Sequence, residues 1–213
     1  MHIQLPPVVL SGPTNGGKGT LIREIVKVDK RIHIPISFTT RKPFAGEING
    51  MDYYFVSKRR FLEMVRAREF VESALVHGEY YGTPVSGLEV KKGNSVIRLL
   101  EIDCNGARQI KAQLPDAVTI FVTPPRPVVP TLRKRMKARG RGETSYKIQQ
   151  RLKTAEKELH QIGDFDCIIV NADGQLNEAV NELKNILHEV RSGNRPGLLR
   201  YHNPTLIAQI TAA

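Results

Sequence analysis

Val8-Val9-Leu10-Ser11-Gly12-Pro13-Thr14-Asn15-Gly16-Gly17-Lys18-Gly19-Thr20 opens the first patterned segment of the chain. The apolar run predicts a short buried strand over 7–11. Gly12 to Gly17 forms a glycine-rich turn. From Lys18 to Val28, Leu21, Ile25 and Val26 recur at helical spacing and predict a helix. A strand, a glycine-rich loop and a helix, in that order, begin an α/β fold. Such a loop lets successive backbone N–H groups converge on one oxyanion, and the helix that follows adds its positive end. A phosphate cradle is therefore expected from Gly12, Pro13, Thr14, Asn15, Gly16, Gly17, Lys18, Gly19 and Thr20. Lys18 supplies a mobile point charge for the β- and γ-phosphates of a nucleotide.

The spacing is nearly the Walker A pattern Gly-x-x-x-x-Gly-Lys-Ser/Thr. It departs at Gly19, where a hydroxyl usually meets Mg²⁺, and Thr20 follows directly. The order Gly17-Lys18-Gly19-Thr20 resembles the loop of adenylate kinases, in which water can stand in for the hydroxyl.

Beyond the helix, Ile32 to Ser37 reads as a second strand. From about 38 to 93 the pattern changes. It gives a strand over Asp52–Val56, then a helix capped by Ser57 and running to about Ala67, with Phe61, Leu62 and Val65 on one face. A hairpin follows, turning at Gly78. This segment reads as a small mixed insert within a core made of 1–37 and 94–191. Buried strands are expected over 94–103, 117–122 and 167–170. Helices are expected over 127–138, over 145–162 with Ile148, Leu152, Ala155 and Leu159 inward, and over 175–190 with Leu176, Val180, Leu183, Leu187 and Val190 inward. The alternation predicts a parallel sheet flanked by helices. After Arg191 the composition shifts to Gly, Pro, Asn and Arg, and 192–213 reads as a flexible C-terminal tail.

At 213 residues and 40% hydrophobic, the chain is long enough for a core without staples. Two cysteines, Cys104 and Cys167, have no metal-like spacing, which suggests a reducing, cytoplasmic setting. No apolar run is long enough for a membrane helix, and no secretory signal is evident. The net charge of +11 favours polyanionic partners. With aromatics at 6% and no RNA-binding signature, nucleotides fit better than nucleic acid.

Further motifs narrow the reading. Ser37-Phe38-Thr39-Thr40-Arg41-Lys42-Pro43, then Gly46-Glu47-Ile48-Asn49-Gly50-Met51-Asp52-Tyr53, Glu69-Phe70-Val71-Glu72 and Gly78-Glu79-Tyr80-Tyr81-Gly82-Thr83 occur in that order. This set resembles the GMP-binding insert of guanylate kinases, and the likeness runs from about Val8 to Ile186. The resemblance implies a nucleoside monophosphate kinase that moves the γ-phosphoryl group of ATP onto GMP, with Mg²⁺ as cofactor. It implies a P-loop core, the GMP-binding insert and an arginine-rich lid at 137–146. By the same resemblance Glu72 accepts from the N1–H and amine of guanine, Ser37 and Thr83 bond the O6 and N7 edge, and Asp103 lies near the amine. Arg41, Tyr53 and Tyr81 hold the acceptor phosphate. Arg135 and Arg139 belong to the lid, Arg151 reaches both phosphates, and Asn171 meets the adenine edge. Arg141 and Gly142 resemble an insertion in the lid, with Gly140 and Gly142 as a hinge.

Two departures stand out. Guanylate kinases usually carry a second arginine three positions after Arg41, where this chain has Phe44. That implies one fewer cationic contact and weaker GMP binding unless another residue substitutes. Glu101 replaces the usual first Asp of the Asp-Ile-Asp motif, so Glu101 and Asp103 are the candidate metal carboxylates, acting through water. The rival reading is a guanylate-kinase-like binding module with weak or no turnover.

Overall fold

Strand β1 (Val8–Ser11) is buried along its whole length, as its apolar run demands. The structure, a computed structural model, describes residues 5–89, 95–139 and 144–212. Helix α1 (Lys18–Val28) follows the glycine-rich loop and buries Leu21, Ile22 and Ile25. Strand β2 is only Ile32–His33, shorter than expected, and Pro35 in the segment beyond it cannot donate to a ladder. Then come β3 (Phe38–Thr39), β4 (Tyr54–Phe55) and α2 (Lys58–Arg66), whose N-cap Ser57 accepts from the Arg60 N–H at 3.2 Å. The inward residues of α2 are Phe61 and Met64, whereas Val65 faces solvent, a correction to the expected face. Strands β5 (Phe70–Val76) and β6 (Glu79–Pro84) form the hairpin. Its two turn residues, His77 and Gly78, both have positive φ, the signature of a turn that matches strand twist.

The chain returns to the core through β7 (Ile97–Glu101), α3 (Cys104–Gln113), β8 (Val118–Thr123), α4 (Val128–Ala138), α5 (Ser145–Leu159), β9 (Cys167–Val170) and α6 (Leu176–Ser192). Helix α3 was not anticipated. Pro130 sits in the first turn of α4, where its missing N–H costs nothing. Helix α5 buries the four residues predicted for it. Helix α6 stops at Gly193, which takes the left-handed conformation common just past a helix end.

Five strands form a parallel sheet in the order β2-β7-β1-β8-β9, and a second, mixed sheet runs β4-β3-β6-β5. Strand alternation divides the core. Val8 and Leu10 join α1 and α6 on one face, and Val9 joins α3, α4 and α5 on the other. The chain thus leaves β1 toward one face of the sheet and leaves β7 toward the other. Adjacent parallel strands whose exits diverge open a crevice at their carboxyl ends. The glycine-rich loop and Glu101 to Asp103 lie at that crevice.

The tail is a correction. A 3₁₀ turn over Pro196–Tyr201 and helix α7 (Pro204–Thr211) pack on the core, with Leu198 buried on the α6 side and Ile210 on the α5 side. Burial of these side chains outweighs the breaker-rich composition that suggested flexibility. The proposed lid centre, with Gly140, Arg141 and Gly142, lies outside the described residues. No helix among the described residues is long and apolar enough to cross a membrane.

Candidate active site

The loop after β1 owes its shape to two glycines. Gly12 has φ 119°, and a Cβ there would lie 2.4 Å from the Val122 carbonyl oxygen. Gly17 has φ 106°, and a Cβ there would lie 1.8 Å from Asn171 Nδ2. Backbone of this kind tolerates only glycine. Pro13 contributes a carbonyl that accepts from the Gly16 N–H at 3.0 Å, which closes the turn. Asn15 takes a left-handed φ of 61°. Lys18 Nζ lies over the loop and donates to the carbonyls of Gly12 (2.5 Å) and Pro13 (3.1 Å). An ammonium held by carbonyl dipoles is readily turned toward a phosphate.

Two clefts meet at this loop. One, of about 630 Å³, is lined by the loop residues Thr14, Asn15, Gly17, Gly19 and Thr20, by Arg135 and Arg139 of the α4 segment, and by Asn171. Arg135 binds Asp173 Oδ1 through Nη2 at 2.6 Å, donates to the Asn171 carbonyl at 2.7 Å, and reaches the Gly16 carbonyl at 3.3 Å. Arg139 donates to Asn15 Oδ1 at 3.0 Å. Asn171 is buried, and its side-chain amide donates to the Gly16 carbonyl at 3.3 Å. The amide expected at a base edge therefore buttresses the loop in this state. The Thr20 hydroxyl accepts from Arg23 at 3.1 Å.

The other cleft, of about 230 Å³, lies between the core and the mixed sheet. Ser37, Tyr53, Glu72, Tyr81, Asp103 and Arg151 line it, together with Gly12. Thr14, Lys18 and Glu101 line both clefts, so the lysine stands where they join.

At the base of this second cleft, Glu72 Oε1 accepts from the Thr83 hydroxyl at 2.6 Å, and Thr83 lies 3.3 Å from Ser37 Oγ. Glu72 is almost fully buried, and that burial pushes its pKa up to about 7. Tyr53 is pushed up to about 12, again mainly by burial. Its ring meets Tyr81 edge-on at 5.9 Å. Asp103 caps α3: its Oδ1 accepts from the Gly106 N–H at 2.8 Å.

Arg41 does not line either cleft, nor do Thr83, Pro13 and Gly16 among the other predicted residues. Arg41 forms a two-pronged ion pair with Glu47, Nη1 to Oε2 at 2.5 Å and Nη2 to Oε1 at 2.7 Å. Its guanidinium carbon is 5.0 Å from the ring centre of Tyr53, which does line the cleft.

Two groups escaped the sequence reading. Glu158 lines this second cleft seven residues after Arg151, on the same face of α5. Burial raises its pKa to about 7, with Lys18 opposing the shift and Asp103 adding to it. The i, i+7 spacing from Arg151 was the available signal. Glu47 stood inside a quoted motif, but nothing in its spacing announced the ion pair.

Glu101 and Gly19 are adjacent in space. A Cβ at residue 19 would lie 3.4 Å from Glu101 Oε2, so the carboxylate rests against the start of α1. No group of three or more acidic, histidine or cysteine side chains that could hold a metal occurs among the described residues.

Comparison with known proteins identifies the family of the chain. The guanylate kinase family model matches residues 4–190. The guanylate kinase of Clostridioides difficile (strain 630) is 38% identical over 198 residues, covering 92% of this chain and 91% of that protein. That of Synechococcus sp. (strain CC9311) is 42% identical over 178 residues, covering 84% of this chain and 91% of that protein. The crystal structure of guanylate kinase from Anaplasma phagocytophilum superposes with a TM-score of 0.70 at 29% identity, covering 89% of this chain and 88% of that one. With a family model that matches nearly the whole chain, close relatives in sequence and the same fold, this chain belongs to the guanylate kinase family.

Proposed function

We propose that this protein transfers the γ-phosphoryl group of ATP to GMP, giving ADP and GDP. The observation that carries the reading is the meeting of two clefts at Lys18, one roofed by Arg135 and Arg139, the other floored by Glu72. ATP occupies the first, its phosphates on the loop N–H groups and Lys18, with Asn171 at the adenine edge. GMP occupies the second.

Guanine presents two adjacent donors, N1–H and the amine, to which a carboxylate is complementary. Glu72 accepts both, Ser37 and Thr83 serve the O6 and N7 edge, and Asp103 lies on the amine side. Adenine in this pocket leaves those buried groups unpaired, which is the stronger form of discrimination. Tyr53, Tyr81 and Arg41 hold the acceptor phosphate.

Transfer needs no covalent intermediate. The travelling phosphoryl group spreads negative charge, and Lys18, Arg41, Arg135, Arg139 and Arg151 neutralise it without moving a proton. Closure of the lid and insert excludes water and so limits wasteful hydrolysis.

The residues present suit Mg²⁺. Glu101 rests against Gly19, where the motif lacks its hydroxyl, and Asp103 is on the same crevice. A cation bound mainly by phosphate oxygens and water needs only one or two such carboxylates. When bound, the metal supplies charge neutralisation at the β- and γ-phosphates. Cys104 and Cys167 are buried free thiols, which supports a cytoplasmic site of action.

A coupled assay of ADP formation with GMP, AMP, UMP and CMP, with and without Mg²⁺, tests the proposal. GMP-selective, metal-dependent turnover is expected. GMP binding without turnover leaves only a binding module, and absence of nucleotide binding removes both readings.

A further inference from the structure

Phe44 occupies the position at which the family resemblance implies a second phosphate-binding cation. The chain between Arg41 and Glu47 turns back on itself: the Glu47 N–H donates to the Phe44 carbonyl at 3.1 Å, and the Phe44 N–H donates to Glu47 Oε2 at 2.7 Å. That turn brings the phenyl ring against Arg41, with the guanidinium carbon 4.4 Å from the ring centre. Tyr53 and Phe55 add rings at 5.0 and 5.4 Å. Arg41 is thereby enclosed by aromatic faces, although Phe44 itself remains half exposed at 48%.

The donor accounting of Arg41 is informative. A guanidinium has five N–H groups in a fixed planar fork. Glu47 takes the end-on pair, one N–H from Nη1 and one from Nη2, and the Lys42 carbonyl takes the other Nη1 N–H at 3.0 Å. The Nε–H and the second Nη2–H remain, adjacent on one edge, and no described residue accepts from Nε. That edge is a second two-pronged fork with the spacing of two phosphate oxygens. Arg41 can hold Glu47 and an acceptor phosphate at once, provided the planar group keeps its orientation.

Resting on the function proposed above, we infer that Phe44 is a positioning residue for the acceptor phosphate. Its ring, stacked on Arg41, holds the free fork in place and compensates for the absent second cation by fixing the one that is present. A cationic replacement adds charge, whereas this aromatic reduces the orientational freedom that a lone long side chain loses on binding. An exposed cation–aromatic contact is worth about two- to fivefold in affinity.

Steady-state kinetics of Phe44→Leu and Phe44→Tyr, with GMP and ATP varied separately, test this. Leucine keeps apolar bulk without the π face, and tyrosine keeps the face. Expected is a rise of about two- to fivefold in KM for GMP in Phe44→Leu, with kcat and KM for ATP unchanged and an unaltered thermal midpoint. Phe44→Tyr should retain the parent values. A parent-like KM for GMP in Phe44→Leu, or an equal loss in Phe44→Tyr, overturns the inference while leaving the kinase reading intact. If the parent protein does not turn over GMP at all, the fault lies with the proposed function instead.

Discussion

At Glu72, burial and recognition act in opposite directions. Desolvation raises the carboxyl to about 7, against an ordinary value of 4.5, while the Thr83 hydrogen bond pulls it down. Because the folded value is the higher one, the ligand-free protein has this contribution to stability in full below about pH 4.5 and loses it as pH rises through about 7. Guanine needs the charged form, so GMP binding has the opposite slope. KM for GMP should fall by up to about tenfold per unit as pH rises toward 7 and level off above it. A pH series of initial rates checks this. Glu72→Gln should raise KM for GMP and flatten the profile, and a slope that survives in that variant assigns the titration to Glu158 instead. Lys18 permits a larger effect. Lys18→Ala should lower kcat by about 10²–10³-fold, the usual cost of one charge-stabilising donor, with the fold intact by circular dichroism. Glu72, Ser37 and Lys18 could be named as candidates because they stand in ordered motifs, and the structure brings all three to one cleft. Glu158 was hidden because a glutamate on a charged helix looks solvated until the neighbouring elements are placed. The contact of Phe44 with Arg41 was hidden because the two meet across a turn.

Helix α3 shows why an element can be missed. Asp103-Cys104-Asn105-Gly106 has the composition of a turn, with Asp, Asn and Gly each favoured there. The same aspartate is also a good N-cap, and in the structure it caps a helix through the Gly106 N–H. What decides between them is distant: Ala107 and Ile110 are buried on the α5 side of the sheet. Gly106 is small for a reason that no local rule supplies. A Cβ there would stand 2.7 Å from Glu72 Oε2. Helix propensity alone favours Gly106→Ala by about 1 kcal/mol. The overlap with Glu72, the carboxylate proposed to accept from guanine, should nevertheless raise KM for GMP severalfold and leave KM for ATP unchanged. An unaltered KM for GMP would show that Glu72 moves aside freely. Helices α1 and α5 were readable because their apolar spacing lies within one segment. The short β2 was not, since pairing with β7 fixes its length.

Across the whole molecule, one topological fact locates the chemistry. The exits from β1 and β7 diverge to opposite faces of the sheet, and the crevice between them receives the phosphate loop from one strand and the carboxylates from the other. The strand–loop–helix start and the alternation that follows made this core legible. The packed C-terminus was not, because a Gly- and Pro-rich segment is flexible only if nothing buries it. Leu198 is 5% exposed against the α6-side core. Leu198→Ala should cost about 2–5 kcal/mol in urea unfolding without altering either KM; a loss below about 0.5 kcal/mol would mean that this segment contributes little to the core. The end-to-end arrangement of two nucleotides about Lys18 is most directly tested by the crystal structure of the protein with GMP and a non-hydrolysable ATP analogue. The account predicts guanine on Glu72, the terminal phosphate of the analogue within hydrogen-bond reach of Lys18, and the GMP phosphate on the free edge of Arg41. Guanine in the cleft beside Asn171, or Lys18 and Arg41 turned away from a shared phosphate path, would contradict it.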